Sequence, residues 1–188
     1  KYYWTDRFQA AMERMNEDEL EAAADEFRNA IAIDPNDYRA WMNLGIVFAN
    51  MEQAEEALEP LRQAHTLDPD NEQVRDILRQ ILAIVGAGKY NEAQTTEDEA
   101  TRMASWDEAM GLFQEAIDLG AVGEELDNYE SNLAFIYMSK GQAVTDEDMA
   151  EKKALFDQAI EHFRTACIAR NAHRAEVGEQ VRTLETDE

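Results

Sequence analysis

The sequence AIAIDPNDYRAWMNLG, residues 30–45, contains the motif IDPND, and a similar motif, LDPDN, follows at residues 67–71. Pro35 and Pro69 therefore define a 34-residue interval. Because proline ends a helix and a neighbouring Asp or Asn caps the next one, each motif predicts a turn between two helices. The interval therefore indicates a repeating structural unit of about 34 residues.

The composition favours helix over sheet. The chain has 188 residues, 45% of them hydrophobic, with eight glycines and three prolines. This length suits one domain or one short repeat array, and no segment alternates apolar and polar residues for long. The sequence therefore predicts an all-α protein.

The charge is strongly acidic, with 41 Asp and Glu residues against 17 Lys and Arg residues and a net charge of −24. Such a chain repels nucleic acid and anionic lipid, which excludes both as direct partners. Two explanations of the charge remain. The acidic residues are spread along the whole chain, which favours adaptation to high salt, and the alternative is an acidic face that recruits a basic partner.

The stretch from Tyr38 to Asn71 carries a recognisable pattern of large and small residues. Gly45 and Ala57 are small where two helices would cross closely, and Pro69 ends the second helix. The pattern resembles the tetratricopeptide repeat, a 34-residue helix-turn-helix unit, in Trp41, Leu44, Gly45, Phe48, Ala57, Leu61, Ala64 and Pro69.

The second half of this pattern recurs three more times along the chain. The resemblance implies a single domain over residues 1–188, folded as a right-handed α-solenoid of antiparallel helix pairs, with units at 3–35, 37–69, 71–120 and 124–170. Val177, Val181 and Leu184 have helical spacing, so residues 172–186 are expected to form a capping helix. The recurring residues are Ala23, Phe27 and Ala30; Ala109, Phe113 and Ala116; and Ala159, Phe163 and Ala166.

The last two units are longer than the first two, and the extra length is expected to be helical. First helices are predicted over 72 to about 94 and 124 to about 142, with Asn71 as a cap and Gly86 and Gly88 as a kink or end. Long second helices would follow capping patterns at TEDE, where Thr96 caps and Glu99 reaches back, and at TDED, residues 145–148. Their apolar seams are Met103, Trp106, Met110, Phe113 and Ile117, then Met149, Phe156, Ile160, Phe163 and Cys167.

No residue pattern indicates catalysis, a cofactor or a metal. His65, His162 and His173 have no metal-ligand spacing and are expected on helix surfaces, and Cys167, the only cysteine, is expected to be buried. The segment DPDNEQVRD lacks the glycine and glutamate of a calcium loop, so a turn explains it better. The sequence therefore predicts a protein that is not an enzyme.

The family resemblance places partner-binding residues on the first helix of each unit. Asn43 matches the clamp with which some members hold chaperone tails, but Phe8 and Met12 occupy other clamp positions, which disfavours that partner. Packing within the protein explains Ile46, Ile84 and Phe135 equally well. The candidates are Phe8, Met12, Arg39, Met42, Ile46, Asn50, Gln73, Asp76, Gln80, Asn128, Ser131 and Phe135.

These features favour a protein-interaction scaffold that binds a peptide or helix of a partner, with a basic partner favoured by the acidic rim. One alternative is a regulatory module of a larger or membrane-anchored protein. Another is a homodimer that pairs through Tyr2, Tyr3 and Trp4.

The sequence leaves the compartment open. No apolar run is long enough to cross a membrane. The first residue is Lys1 rather than Met, which is expected of a trimmed chain or a removed leader. The location is then cytoplasmic or, with a leader, the cell envelope.

Overall fold

The computed structural model describes the backbone of residues 2–145 and 147–186, with the side chains of 3–145 and 147–178. That part of the chain contains eight α-helices and no strand, which confirms the all-α prediction. The helices are α1 Tyr2–Asn16, α2 Leu20–Ile33, α3 Tyr38–Asn50, α4 Ala54–Leu67, α5 Glu72–Thr95, α6 Glu99–Asp118, α7 Gly123–Ala143 and α8 Met149–Thr186.

Contacts divide the chain into two compact units, Lys1–Val85 (unit 1) and Gly86–Glu188 (unit 2), with the boundary inside α5. In unit 1, α1 packs on α2, α2 on α3, and α3 on α4. In unit 2, α6 packs on α7 and α7 on α8. This succession of packed helix pairs confirms the predicted α-solenoid class.

The recurring alanines mark the buried face of every second helix. All eight, two in each of α2, α4, α6 and α8, have at most 4% of their surface exposed. The large residue between them is fully buried in the first two cases, Phe27 and Leu61, and nearly so at Phe113. Phe163 in α8 is only half-buried. The repeat pattern therefore identifies the core-facing side of α2, α4, α6 and α8.

Gly45 sets the distance between α3 and α4. A Cβ atom at this position would lie 2.6 Å from Cγ of Leu61 and 3.3 Å from the carbonyl oxygen of Ala57. Both distances are shorter than ordinary van der Waals contact, so any larger residue would force the helices apart. The sequence prediction of a close crossing at Gly45 and Ala57 is confirmed.

The turns inside the first two helix pairs share an unusual backbone conformation. Asp18 and Glu52, which occupy equivalent positions in successive repeats, both have positive φ angles, of 63° and 61°. This left-handed conformation costs a residue with a side chain about 1 kcal/mol, and Gly usually occupies it. The 34-residue period thus extends to the backbone conformation of the turns, although neither an Asp nor a Glu in the sequence indicates a positive φ angle.

The two DP motifs form the turns between repeats, as predicted. The carboxylate of Asp37 accepts a hydrogen bond from the Arg39 backbone N–H at 3.0 Å and caps α3. The side-chain oxygen of Asn71 accepts from the Val74 backbone N–H at 3.2 Å, at the start of α5. Asn71 is therefore the cap that the sequence predicted.

Unit 2 has long helices, as expected from the sequence. α6 has 20 residues and α8 has 38, against 14 in α4. A helix end at Gly86 or Gly88 is wrong, because α5 continues without a break to Thr95, and a kink there stays a prediction. Gly86 instead lies against the ring of Phe113, which a Cβ would approach to 3.1 Å.

The predicted cap of α6 is wrong, whereas the start of α8 is capped from within the predicted TDED pattern. Asp98, not Thr96, caps α6, and its carboxylate accepts from the Thr101 backbone N–H at 2.7 Å. Asp148 accepts from the Glu151 backbone N–H at 3.2 Å at the start of α8. In both cases a carboxylate nearer the helix is the better acceptor, since its charge interacts favourably with the helix N-terminus.

The predicted seam is correct for α6 and partly wrong for α8. In α6 the predicted residues are all buried or half-buried. In α8, Met149, Ile160 and Cys167 are exposed, so the expectation of a buried thiol is wrong. The buried face of α8 instead follows Phe156, Ala159, Phe163, Ala166 and Ala169.

Residues 172–186, the expected capping helix, are helical and continuous with α8. His173 contacts the start of α7, where its Nδ1 atom lies 3.3 Å from the position of a Cβ on Gly123. The side chains of Val181 and Leu184 lie outside the described residues.

Candidate functional site

The predicted partner-binding residues fall in both units, on α1, α3 and the start of α5 in unit 1 and on α7 in unit 2. Met42 is buried and therefore belongs mainly to the core. Phe8, Met12, Ile46 and Ser131 are half-buried. The other seven are exposed, namely Arg39, Asn50, Gln73, Asp76, Gln80, Asn128 and Phe135.

In unit 1, Phe8 and Met12 pack against the core that α1 shares with α2 and α3. Ile46 on α3 is half-buried as well, so three half-buried apolar candidates lie on the first helices. Asn50, Gln73 and the other exposed polar candidates of unit 1 lie on the same helices. We call these candidate residues on α1, α3 and the start of α5 the unit 1 face.

An aromatic and charged cluster lies at one end of the unit 1 face. The Trp4 ring stacks on Phe8 with centroids 4.9 Å apart, and the Phe8 ring meets Phe27 edge-on. The Arg39 guanidinium carbon lies 4.8 Å from the Trp4 centroid and 5.9 Å from that of Phe8. Aromatic faces attract cations, so these two rings hold Arg39 electrostatically.

Asp37 fixes the other side of Arg39. The guanidinium donates from Nε to Oδ1 of Asp37 at 2.9 Å and from a terminal nitrogen to Oδ2 at 2.5 Å. These side-chain hydrogen bonds hold the pKa of the Asp37 carboxyl below its usual value and raise the pKa of Arg39. The arrangement shows that this end of unit 1 accommodates a cation between aromatic rings and a carboxylate.

A cavity of about 540 Å³ opens beside this cluster. Its lining comprises Trp4, Thr5, Ile33, Asp34, Asp37 and Arg39. Asp34 accepts a hydrogen bond from the Asn36 backbone N–H at 3.1 Å through Oδ1, which orients its carboxylate in the turn. The cavity thus joins apolar and aromatic surface to two carboxylates.

In unit 2, the candidates on α7 have different surroundings. Phe135 has 44% of its surface exposed, yet its ring meets that of Phe163 edge-on at 5.3 Å. The Ser131 hydroxyl lies 3.4 Å from Oδ1 of Asp127, so it contributes to a polar contact inside the α7/α8 pair. Only Asn128 is both polar and exposed among the three.

Two polar pairs join α7 to α8, and sequence reasoning missed both. The Arg170 guanidinium donates two hydrogen bonds to Asp127, at 2.7 and 2.8 Å, and these hold the pKa of the Asp127 carboxyl below its usual value. Nδ1 of His162 lies 2.6 Å from Oε2 of Glu130, and the imidazole stacks on the Tyr137 ring at 5.1 Å. The expectation that His162 is a surface residue is therefore wrong.

The other two histidines lie on helices and are partly exposed. His65 is half-buried in α4, and its Nδ1 atom has no hydrogen-bond partner among the described residues. His173 packs on Gly123, as described above. An imidazole fits such sites because most of its surface is apolar ring.

Among the described side chains of residues 3–145 and 147–178, no three from His, Cys, Asp or Glu come together in a way that would hold a metal ion. The same residues include no helix with the length and apolar character needed to cross a membrane.

Comparisons with known proteins agree with the helix-pair architecture. Residues 14–81 match the family described as tetratricopeptide repeat. The chain is 44% identical over 55 residues to the cell division cycle protein 27 homolog of Caenorhabditis elegans. That match covers 29% of this chain and 7% of the relative, so the chain spans only a small part of the relative's length.

One solved structure shows the same fold at low sequence identity. The crystal structure of a TPR repeats protein from Bacteroides fragilis NCTC 9343 has a TM-score of 0.62 and 15% identity, and the match covers 96% of this chain and 83% of that one. The structure of MamA from residue 41 to its end, from Desulfovibrio magneticus RS-1, has a TM-score of 0.44 and 15% identity, over 92% and 97% of the chains. The first likeness concerns the fold alone, and the second is too weak to support an argument.

Proposed function

We propose that the chain, whose residues 14–81 match the tetratricopeptide-repeat family, is a non-catalytic adaptor that binds a peptide or helix of a partner protein through the unit 1 face. Such repeats commonly act as protein-interaction modules. The observation that carries the proposal is that first helices expose polar residues, among them Arg39, Asn50 and Gln80, and also hold the half-buried apolar residues Phe8 and Ile46.

The chemistry of this face suits a short amphipathic segment. Phe8, Met12 and Ile46 offer apolar surface, and methionine adapts its shape to varied side chains. The exposed Asn50, Gln73 and Gln80 offer amide donors and acceptors that would pair with a peptide backbone. A surface that combines apolar side chains with polar groups can bind one face of a helix or an extended peptide.

Selection from a library of displayed random twelve-residue peptides tests this function. We expect peptides that bind the wild-type protein and lose at least about tenfold in affinity for a variant carrying Asn50→Arg and Gln80→Arg, because two bulky cations would obstruct the unit 1 face. The matched control is Thr66→Arg, an exposed position on the second helix α4, which should leave binding unchanged.

All three positions are exposed, so we expect the variants to fold, and circular dichroism checks this. If no peptide is enriched, or if Thr66→Arg weakens binding as much as the double variant, the unit 1 face is not the binding surface.

A further inference from the structure

The cavity beside Trp4 and Arg39 has a charge imbalance. Its lining carries two carboxylates, Asp34 and Asp37, and one guanidinium, Arg39. Asp37 is engaged by Arg39 through two hydrogen bonds, whereas Asp34 contacts a backbone N–H in its own turn. One negative charge at the cavity is therefore not matched by a cation of the lining.

The surroundings of Arg39 show which groups at the cavity interact with a cation. Its guanidinium is held by aromatic rings and by a carboxylate, at the distances given above. A second guanidinium entering the cavity would meet the same kinds of group, namely the Trp4 ring, the Asp34 carboxylate and the shared Asp37 carboxylate. Ile33, which has 46% of its surface exposed, would contact the methylene stem of an arginine side chain.

We propose that this cavity binds one arginine side chain of the partner peptide, and this proposal rests on the adaptor function proposed above. A guanidinium suits the cavity better than an ammonium ion, because it stacks on an indole and pairs with carboxylates through two nitrogens at once. The net charge of −24 also increases the local concentration of basic peptides.

The second DP turn provides an internal comparison. Asp68 occupies the place of Asp34 in the next repeat, but Asn71 replaces Asp37, and Tyr38 and Gln73 replace Trp4 and Arg39. The Asp68 carboxylate accepts a hydrogen bond from the Asn71 side chain at 3.1 Å. The same turn therefore occurs with one carboxylate fewer and without the indole and guanidinium, which makes Asp68→Asn a matched control for Asp34→Asn.

The experiment follows the three indole N–H resonances of Trp4, Trp41 and Trp106 by NMR, with Trp4→Phe to assign the first. The probe is the capped tripeptide acetyl-Gly-Arg-Gly-amide, and the control is the same peptide with citrulline, which has the shape of arginine without its charge. We expect the arginine peptide to shift the Trp4 resonance saturably, while Trp106, in unit 2, stays unchanged. Added salt should weaken the binding.

Asp34→Asn removes a carboxylate of the cavity and should weaken binding of the arginine peptide about fivefold. Asp68→Asn removes the equivalent carboxylate of the next repeat and should leave binding unchanged. A lysine peptide should bind more weakly than the arginine peptide. The proposal is overturned if citrulline shifts Trp4 as strongly as arginine does, or if the two Asp→Asn variants behave alike.

The two proposals fail in different ways. If library peptides bind the unit 1 face without enrichment of arginine and Asp34→Asn leaves their affinity unchanged, the adaptor function stands and the arginine site is rejected. If the arginine tripeptide binds as expected but no library peptide is selected, the cavity stands as a cation site and the adaptor function is rejected.

Discussion

The helix pairs α3/α4 and α7/α8 have the same kind of repeat pattern and different interiors. In α3/α4 the contact is made by Gly45 against Leu61, both buried. In α7/α8, Arg170 pairs with Asp127 and His162 with Glu130, and Phe163, at the position equivalent to Leu61, is only half-buried. Close approach of two helices requires small and apolar residues, whereas a more exposed pair tolerates directional polar contacts.

The largest expected difference lies at the central residue of the two second helices. Leu61→Ala in α4 should lower the free energy of unfolding by about 2–5 kcal/mol, because a fully buried side chain leaves a cavity. Phe163→Ala in α8 should cost less than half as much, since its ring is already half-exposed. Urea unfolding measured by circular dichroism compares them, and equal losses would show that α7/α8 depends on apolar packing as strongly as α3/α4.

The glycines of the two first helices provide the next comparison. Gly45→Ala should lower the free energy of unfolding by about 1–3 kcal/mol, because the new Cβ meets Leu61. Gly141→Ala in α7 should cost less, since its Cβ would lie 3.3 Å from the end of the Phe156 ring.

Two variants control the Gly45 measurement. Gly111→Ala, where nothing lies within 4 Å, should raise the free energy of unfolding by up to about 1 kcal/mol through helix propensity. The double variant Gly45→Ala with Leu61→Ala should cost less than the sum of the two single changes. Strict additivity would argue against the direct contact.

The polar pair of α7/α8 should give a smaller, pH-dependent effect. Asp127→Asn should lower the free energy of unfolding at pH 7 by about 1 kcal/mol, because Arg170 loses a charged acceptor. The folded pKa of Asp127 is lowered, chiefly by the hydrogen bonds from Arg170. Its contribution is therefore complete above the unfolded value of about 3.9 and is lost as pH falls through the folded pKa.

The difference between the wild type and Asp127→Asn should accordingly shrink below about pH 4, as measured by urea unfolding at pH 7, 5, 4 and 3. The control is Asp6→Asn in α1, which removes one charge at an exposed position. A difference that stays constant across this range would mean that the Asp127 charge does not contribute.

The smallest expected effect concerns the start of α6. Asp98→Ala should lower the midpoint of thermal unfolding, because α6 loses its N-terminal cap. Thr96→Ala should change the midpoint less, since the Thr96 hydroxyl accepts only the Asp98 backbone N–H, at 3.3 Å. The opposite order would restore Thr96 as the cap that the sequence pattern predicted.

Much of unit 1 could be predicted from local sequence. Helix ends follow from residues within a few positions, as at Asn71, and the buried face follows from the spacing of Ala57, Leu61 and Ala64. The partner-binding candidates followed from family position, which does not reveal burial. The burial of Met42 was therefore not predicted. The contact of Arg39 with the Trp4 ring was not predicted either, because it joins residues of two successive repeats.

The sequence by itself determined the 34-residue period, the helices and the alanine-lined faces, because these depend on spacing within one or two turns of helix. Only the tertiary structure decided which polar residues pair. Asp127 meets Arg170 and Glu130 meets His162 across α7 and α8, and neither pairing has a local signal. It also decided that Met149, Ile160 and Cys167 of the predicted α8 seam are exposed, because several apolar seams share helical spacing and the packing of α8 on α7 selects one of them.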